Sequence, residues 1–206
     1  MKNGLTIHGS STLNYYEVSQ KDLKGVLQGD WLTNNVIDSY LCLVQFYSAL
    51  VNNSKTAVLG TNVWKNFTSV NRVKIRIEKG ILEYDTVIVP QHHTGHFTIV
   101  VLKPKEHKWF LYDSLYDSER LERIRPRVNT MISFFQRKED KAHVKWDGDQ
   151  IFVPQQEDGS NCGVFSVRFA VFAMFDMWID FKWSDEDKKC FRYQIVNDLL
   201  NQSFSG

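Results

Sequence analysis

Apolar and polar positions recur along the chain with two different periods, and each period predicts its own kind of element. Between residues 33 and 47 apolar side chains recur every three or four residues, which predicts a helix capped by Thr33 or Asn34. Three later segments are β-rich: 86–90, 97–102 and 109–112. A polar turn at 103–107 separates the last two, so we expect them to pair as an antiparallel hairpin.

The second half of the chain has mainly helical patterns. Helices are predicted over 118–138, with a bend or break at Pro126, over 162–178, and from Ser184 onward, where acidic residues fill the first turn. A further short strand is predicted at 151–153. This order of elements predicts an α+β fold, in which helices flank a small mixed central sheet and a central helix begins at Cys162.

Length and composition limit the domain count. The chain has 206 residues without repeats, low-complexity tracts or a linker rich in proline and glycine, so we expect a single domain over 1–206. Residues 1–28 carry no strong pattern, and we expect them to form a loosely ordered lead-in.

Charge, cysteine usage and hydropathy exclude several classes of function. A net charge of +1 gives no reason to expect a nucleic-acid partner. The three cysteines form no evident disulfide framework, which favours a reducing compartment. The most apolar stretch, 164–181, is interrupted by Arg168 and Asp176, so it predicts a buried helix rather than a membrane span. We therefore expect an intracellular monomer in cytoplasm or nucleus, delivered into the host cell if the source is a pathogen.

Cys162 is the first candidate for chemistry. It follows the turn residues Asp158 and Gly159 and immediately precedes an apolar helical run. The amides and the positive dipole end of a helix N-terminus favour a thiolate over a thiol. The position therefore predicts a nucleophile, whereas a structural cysteine is usually found inside an apolar stripe.

His96 and Asp113 are candidates for the base and its orienting group. His96 opens one strand of the predicted hairpin, and Asp113 ends the other, so the two side chains are expected side by side. A carboxylate that accepts from one ring nitrogen fixes the tautomer and leaves the other nitrogen for Cys162.

Structural interpretations compete with each of these assignments. His92 and His96 have the spacing of a helical metal pair, but the segment follows Pro90 and leads into a strand, so we expect neither a metal nor another cofactor. Asp113 followed by Ser114 could simply end a strand through an Asx turn. Gln156, six residues before Cys162, could be an ordinary loop residue.

Taken together, these segments resemble the ubiquitin-like-protein-specific cysteine proteases, the group that includes the SUMO proteases and the adenovirus protease. Four motifs carry the resemblance: GDWLTNNVI at 29–37, GHFT at 95–98, LYDSL at 111–115 and VPQQEDGSNCGVF at 153–165. The last is the most specific, because a glutamine lies six residues before the cysteine, as in the family. The similarity covers roughly residues 29 to 200.

The resemblance implies a function and a set of site residues. Cys162 would be the nucleophile, His96 the general base and acid, Asp113 its orienting group, and Gln156 a donor to the oxyanion. The substrate would be a ubiquitin-like modifier (SUMO, ubiquitin or NEDD8-like) or its conjugates, cleaved after the C-terminal Gly-Gly. The implied substrate-binding residues are Trp31 and Phe97, which would flank a narrow Gly-Gly tunnel, together with Asn34 and Gly163.

Three positions depart from the family pattern. Phe97 occupies the place of a tryptophan, and it supplies less area and no indole N–H. Asn161 replaces an aspartate next to the cysteine, which removes a charge that would oppose the thiolate. Asn34 occupies a place where the family usually has an aspartate. In the SUMO proteases this position is similar to one that faces a basic patch of the modifier. The loss of the charge therefore puts SUMO specificity in question more than catalysis.

Two other functions stay open from the sequence. Acetyltransferases related to this fold use the same cysteine and histidine, but they tend to have glutamate where this chain has Asp113. A modifier-binding module that had lost catalysis would have no physical reason to keep His96, Asp113, Gln156 and Cys162 together.

Overall fold

A mixed five-stranded sheet forms the centre of the protein in the computed structural model, which describes residues 4–8, 15–51, 54–66, 80–93, 95–179 and 182–205. In spatial order the strands are β3 (Thr56–Val58), β4 (Thr86–His93), β5 (His96–Lys103), β6 (Lys108–Tyr112) and β7 (Asp147–Ile151). The three inner strands pair antiparallel, and each outer strand pairs parallel to its neighbour. The predicted hairpin of β5 and β6 is confirmed.

Helices surround this sheet and confirm the predicted α+β class. They are α1 (Gln20–Gln28), α2 (Asn34–Val51), the short α3 (Val63–Asn66), α4 (Arg120–Lys138), α5 (Cys162–Met174) and α6 (Asp185–Asn201). Separate from the central sheet, β1 (Gly4–His8) and β2 (Tyr15–Ser19) pair antiparallel.

Strand β5 divides the hydrophobic core in two because successive side chains of a strand point to opposite faces. Phe97, Ile99 and Val101 pack into a cluster with α2, α5 and α6. Val100 and Leu102 pack on the other face with α4. Cys162 belongs to the first cluster, so the helix that carries it is anchored against the centre of the sheet.

Helix α5 is apolar on almost all sides, and every residue in it except Arg168 is buried. The Arg168 guanidinium lies over the rings of Phe172 and Phe191, at 4.9 and 5.0 Å from their centroids. The helix ends at Met174, earlier than the predicted 178. Just after this end, Asp176 adopts a positive φ of 53°. In the described part of the chain, no helix is long and apolar enough to cross a membrane.

Helix α2 begins where the pattern predicted. The Thr33 carbonyl accepts from the Ile37 N–H at 3.1 Å, and its hydroxyl accepts from the Val36 N–H at 3.4 Å. Except for half-buried Tyr47, residues at the predicted apolar positions are buried, including Ile37, Tyr40 and Leu41. This helix therefore anchors the segment that carries Trp31.

The expectation of a loosely ordered lead-in over 1–28 needs correction for the described residues. Ser19 and Asp22 form a reciprocal capping box at the start of α1. Leu23 and Val26, on the inner face of this helix, are buried. Gly29 ends the helix with a φ of 86°, in the left-handed region that suits glycine. The helix was missed because only these two apolar residues mark its buried side.

Other differences concern short elements. The strand predicted at 151–153 lies earlier, over 147–151, and β3 was not predicted. The proline in α4, Pro126, lies inside a continuous helix. From the sequence, residues 52–85 are also expected to contribute to the choice of modifier, but 52–53 and 67–79 lie outside the described residues.

Candidate active site

Cys162 is the first residue of α5, and a hydrogen-bonded turn fixes the chain in front of it. The Asp158 carboxylate accepts from the backbone N–H groups of Ser160 and Asn161 at 2.9 and 2.8 Å. Its other oxygen accepts from the Asn161 side-chain amide at 2.9 Å. The turn therefore delivers the thiol to one fixed position at the helix N-terminus.

His96 and Asp113 lie together where β5 starts and β6 ends. The last pair of this hairpin is Ile99 with Tyr112, so Asp113 comes one residue past it. His96 Nε2 and Asp113 Oδ1 are 2.7 Å apart, and both side chains are buried. The structure thus brings together the two residues whose proximity the hairpin predicted.

The other ring nitrogen of His96 is left for Cys162. Nδ1 is buried, and Asp113 engages only Nε2. Burial alone would lower the pKa of His96, but hydrogen bonds with Asp113 and Cys162 and the Asp113 charge raise it above its ordinary value. The protonated imidazolium is therefore favoured at this site.

The thiol responds in the opposite sense. Burial alone would raise the pKa of Cys162, but the hydrogen bond with His96 and backbone contacts of Phe97 and Gly163 lower it below its ordinary value. A raised histidine pKa and a lowered cysteine pKa favour a thiolate–imidazolium pair, which is the reactive form of a cysteine nucleophile.

Asp113 is held from three sides. Besides His96, its Oδ1 accepts from the Leu115 N–H at 2.9 Å. Its Oδ2 lies 2.8 Å from Arg120 Nε, in an ion pair that is buried on the aspartate side. These contacts leave the carboxylate little freedom, so the orientation of the imidazole is fixed as well.

Gln156 is buried beside this group, and its side chain is engaged at both ends. The side-chain carbonyl accepts from the Ser114 hydroxyl at 2.6 Å, and the amide nitrogen donates to the Asp158 carbonyl at 2.6 Å. A primary amide has two N–H groups, so one remains for another acceptor. Its role as an oxyanion donor stays a prediction.

The two aromatic residues of the predicted tunnel have different environments. Trp31 is 54% exposed, and its ring lies against Gly95, where an added Cβ would be 3.2 Å from the indole. Phe97 is nearly buried, and its ring stacks on exposed His92 with centroids 4.3 Å apart. Trp31 therefore presents a surface next to His96, whereas Phe97 belongs mainly to the core.

Gly163 and Asn34 were also expected in the substrate site. Gly163 is buried, and an added Cβ would be only 3.0 Å from Leu32 Cβ, so the missing side chain lets α5 approach the segment after Trp31. Asn34 is the half-buried first residue of α2. Their contacts with a substrate stay predictions.

The arrangement of the histidines differs from a helical metal pair. His92 and His93 end β4, whereas His96 begins the neighbouring strand. Within the described ranges, no group of three or more histidine, cysteine, aspartate or glutamate side chains is placed to hold a metal ion.

A family model decides the classification of this chain. The model described as "Ulp1 protease family, C-terminal catalytic domain" matches residues 30–203. The chain belongs to the Ulp1 protease family. The match spans all four catalytic candidates and Trp31.

Individual relatives of this Ulp1-family chain are distant in sequence. A sentrin-specific protease of Caenorhabditis elegans is 28% identical over 76% of this chain, and ubiquitin-like-specific protease 1A of Arabidopsis thaliana is 24% identical over 96%. The matched regions make up 23% and 41% of those proteins, so the chain spans less than half the length of either.

Solved structures support the fold. The C-terminal Ulp1 protease domain in complex with Smt3, the yeast ortholog of SUMO, matches with a TM-score of 0.77 at 16% identity, over 98% of this chain and 90% of that one. The Ulp1-like SUMO protease catalytic domain of Chaetomium thermophilum matches with a TM-score of 0.76 at 20% identity, over 92% and 81%.

Several residues that shape the site of this Ulp1-family chain were missed in the sequence. Arg120 supports Asp113, Ser114 supports Gln156, and Arg192 of α6 donates to Asn161 Oδ1 at 3.0 and 2.8 Å. Both arginines carry a signal in the sequence. Arg120 opens a helix, where a cation opposes the dipole, and Arg192 lies on the apolar face of α6 beside Phe191 and Ile195.

Proposed function

We propose that the chain is a thiol protease that cleaves after the C-terminal Gly-Gly of a ubiquitin-like modifier, either in a precursor or in an isopeptide-linked conjugate. The observation that carries this proposal is the Cys162–His96–Asp113 line at one end of the sheet. The lowered pKa of the cysteine and the raised pKa of the histidine support a preformed ion pair. Membership of the Ulp1 protease family supports a ubiquitin-like modifier as the substrate class.

In the first step the Cys162 thiolate attacks the carbonyl carbon of the terminal glycine. A C–S bond forms, and the carbonyl π electrons move to oxygen. The second N–H of Gln156 and the Cys162 backbone N–H at the helix start would donate to this oxyanion. The His96 imidazolium then protonates the leaving amine, the C–N bond breaks, and a thioester remains.

In the second step water hydrolyses the thioester. Neutral His96 removes a proton from the water as it attacks, and the proton returns to the sulfur when the C–S bond breaks. Asp113 keeps the imidazole in one orientation through both steps, because it accepts from Nε2 while Nδ1 faces the thiol. No step in this sequence requires a metal or an organic cofactor.

The Gly-Gly requirement would be steric. Trp31 lies against Gly95, the residue before His96, and we place the modifier tail between this ring and the strand at Phe97. Only residues without side chains fit a narrow slot between an aromatic ring and a strand. The surface near Asn34, together with the described part of residues 52–85, would select among modifiers.

A SUMO-like modifier is the first candidate substrate. The relatives include sentrin-specific proteases, and the matched yeast domain was solved bound to Smt3, the yeast ortholog of SUMO. The neutral Asn34 would weaken a contact with a basic patch on the modifier. We therefore expect cleavage of SUMO-type conjugates with a lower affinity than an aspartate at this position would give.

A panel of fluorogenic modifier conjugates tests this function. We expect wild-type protein to hydrolyse the SUMO conjugate with a higher kcat/KM than the ubiquitin and NEDD8 conjugates. Cys162→Ala should reduce hydrolysis by at least about 10⁴-fold, because it removes the nucleophile. Cys190→Ala is the matched control, since Cys190 is exposed on α6. Wild-type activity in the Cys162→Ala variant would refute the mechanism, and a preference for ubiquitin would refute the modifier assignment.

A further inference from the structure

Arg120 closes the loop that leaves strand β6, and its side chain returns to the residue at which this loop begins. The Arg120 Nε lies 2.8 Å from Asp113 Oδ2, while the other carboxylate oxygen lies 2.7 Å from His96 Nε2. Only 15% of the Arg120 side chain and none of the Asp113 side chain is exposed. The guanidinium therefore belongs to the same buried group as the carboxylate that orients the imidazole.

The place of Arg120 in helix α4 indicates that its side chain serves Asp113 rather than the helix. Arg120 is the first residue of α4, and the helix dipole opposes a cation at that end. Its backbone N–H donates to the Asp117 carbonyl at 3.0 Å, so the helix start does not depend on the side chain. The contact of the guanidinium with the carboxylate is therefore the feature that needs a functional account.

Four charges meet in this buried group. In the ion-pair form the Cys162 thiolate and Asp113 are negative, whereas the His96 imidazolium and Arg120 are positive. Without Arg120 one negative charge would remain uncompensated in a buried place. Burial lowers the pKa of His96, hydrogen bonds with Asp113 and Cys162 raise it above its ordinary value, and the Arg120 charge opposes that rise. Arg120 therefore limits how strongly the imidazole holds its proton.

The other charged and titratable groups around the imidazole do not replace Arg120. Asp117 is its second partner, 3.5 Å from Nη2, but this carboxylate is 29% exposed and also pairs with Arg123. Arg123 and Arg127 border the same cavity as the imidazole, yet among the described residues neither pairs with the orienting carboxylate. On β4, burial and nearby cations lower the pKa of His93 to about 4, so this neighbour is neutral at pH 7.

We propose that Arg120 is a positioning residue that acts on His96 through Asp113: it holds the carboxylate against the imidazole and offsets part of its charge, and so limits the pH range of turnover on the alkaline side. The inference rests on the proposed function, because the alkaline limit is reached when the imidazolium that protonates the leaving amine is lost. A purely structural role would change the stability of the protein and leave this limit where it is.

An NMR titration of the His96 ring tests the proposal without any substrate. The Cys162→Ala variant removes the coupling to the thiol, and His96→Gln identifies the His96 signal among those of the other histidines. In this background Arg120→Gln should move the midpoint of the His96 titration to higher pH, because one cation fewer opposes the imidazolium. Arg120→Lys keeps the charge and should leave the midpoint close to its original position.

The pH profile of kcat/KM for the fluorogenic conjugate is the kinetic counterpart. In Arg120→Gln the alkaline limb should move to higher pH, and kcat at pH 7 should fall by about tenfold with little change in KM, because the imidazole is held less firmly. Arg120→Lys should restore the wild-type limb. Asp117→Asn removes the second partner of Arg120 and should move the limb slightly to lower pH, while its side-chain oxygen can still accept from the Glu119 N–H.

Arg137→Gln is the matched control. Arg137 is exposed on the same helix, roughly 25 Å further along its axis, and the substitution removes the same charge. At this distance salt screens its charge from the site. We expect the wild-type midpoint and the wild-type limb in this variant, and a shift equal to that of Arg120→Gln would refute a specific role of Arg120.

The outcomes separate this inference from the function on which it rests. An unchanged His96 midpoint and an unchanged alkaline limb in a folded Arg120→Gln variant refute the inference and leave the proposed function intact. If Arg120→Gln does not fold, Asp117→Asn decides, and an alkaline limb that does not move to lower pH refutes the inference. A shifted midpoint in a protein whose wild type cleaves no conjugate refutes the proposed function, while the action of Arg120 on His96 stands.

Discussion

Two opposing effects act on the Cys162 thiol. It is only 3% exposed, and such burial disfavours the thiolate because a charged sulfur loses its hydration. The hydrogen bond from His96 and the backbone contacts of Phe97 and Gly163 outweigh this cost. Cys42 has the burial without these partners, and its pKa is raised to about 12. The difference between the two thiols therefore lies in their partners rather than in their burial.

The pH dependence of alkylation tests this balance. In a Cys190→Ala background, iodoacetamide should label Cys162 with an inflection below the ordinary thiol pKa of 9.0. His96→Ala should move the inflection to higher pH, since burial then acts with one opposing partner fewer. The rate of labelling, followed by mass spectrometry from pH 5 to 10, gives both inflections.

Two outcomes bear on the role of His96 in particular. Cys42 should stay unlabelled across this range and report that the protein remains folded. Equal inflections in wild type and His96→Ala would mean that the histidine does not stabilise the thiolate.

At the scale of elements, β7 is ordered through its neighbour rather than through its own sequence. Its residues, DGDQI, have low β propensity, yet the strand pairs parallel to β6 with Gly148 opposite Trp109. The indole of Trp109 is fully buried and lies against the bare backbone of Gly148, with the Arg125 guanidinium 5.5 Å from its centroid. The missing side chain therefore permits this contact.

Gly148→Ala should destabilise the protein through β7. The added Cβ would lie 2.0 Å from Trp109 Cε2, so the ring or the strand must move. We expect a loss of about 2 kcal/mol and a fall in Tm of roughly 6 °C, as for overpacking of a core. Gly159→Ala is the matched control, because nothing lies within 4 Å of its added Cβ. Equal melting temperatures for the two variants would contradict this role of Gly148.

Some elements have a periodic pattern of their own and others are ordered by a neighbouring strand, and this difference explains how far the sequence predicts the fold. Helix α2 and the hairpin of β5 and β6 have strong periodic patterns, and the proximity of His96 and Asp113 follows from the hairpin alone. Strands β3 and β7 depend on parallel pairing with a distant neighbour, and no local pattern reports such pairing. Arg120 is unusual only as a cation at a helix start, and Arg192 only as a cation on an apolar helix face. Neither signal identifies a partner before the helices are placed.

At the scale of the whole molecule, Arg192 joins three segments that are far apart in the sequence. Its guanidinium donates to the carbonyls of Val26 and Asp30, which precede Trp31. It also donates to the Ser160 carbonyl and to Asn161 Oδ1, just before Cys162. One buried side chain of α6 therefore holds the proposed substrate slot and the nucleophile in a fixed relation.

Arg192→Lys tests whether this relation matters for turnover. Lysine keeps the charge but cannot reproduce the planar set of donors, so Trp31 and Cys162 should shift relative to each other. We expect kcat/KM for a modifier conjugate to fall by about tenfold to a hundredfold. Iodoacetamide labelling of Cys162 needs no substrate slot and should change far less. Lys189→Gln, an exposed position on the same helix, is the control. If alkylation and turnover fall equally, Arg192 acts on the thiol alone and the coupling between the two segments is refuted.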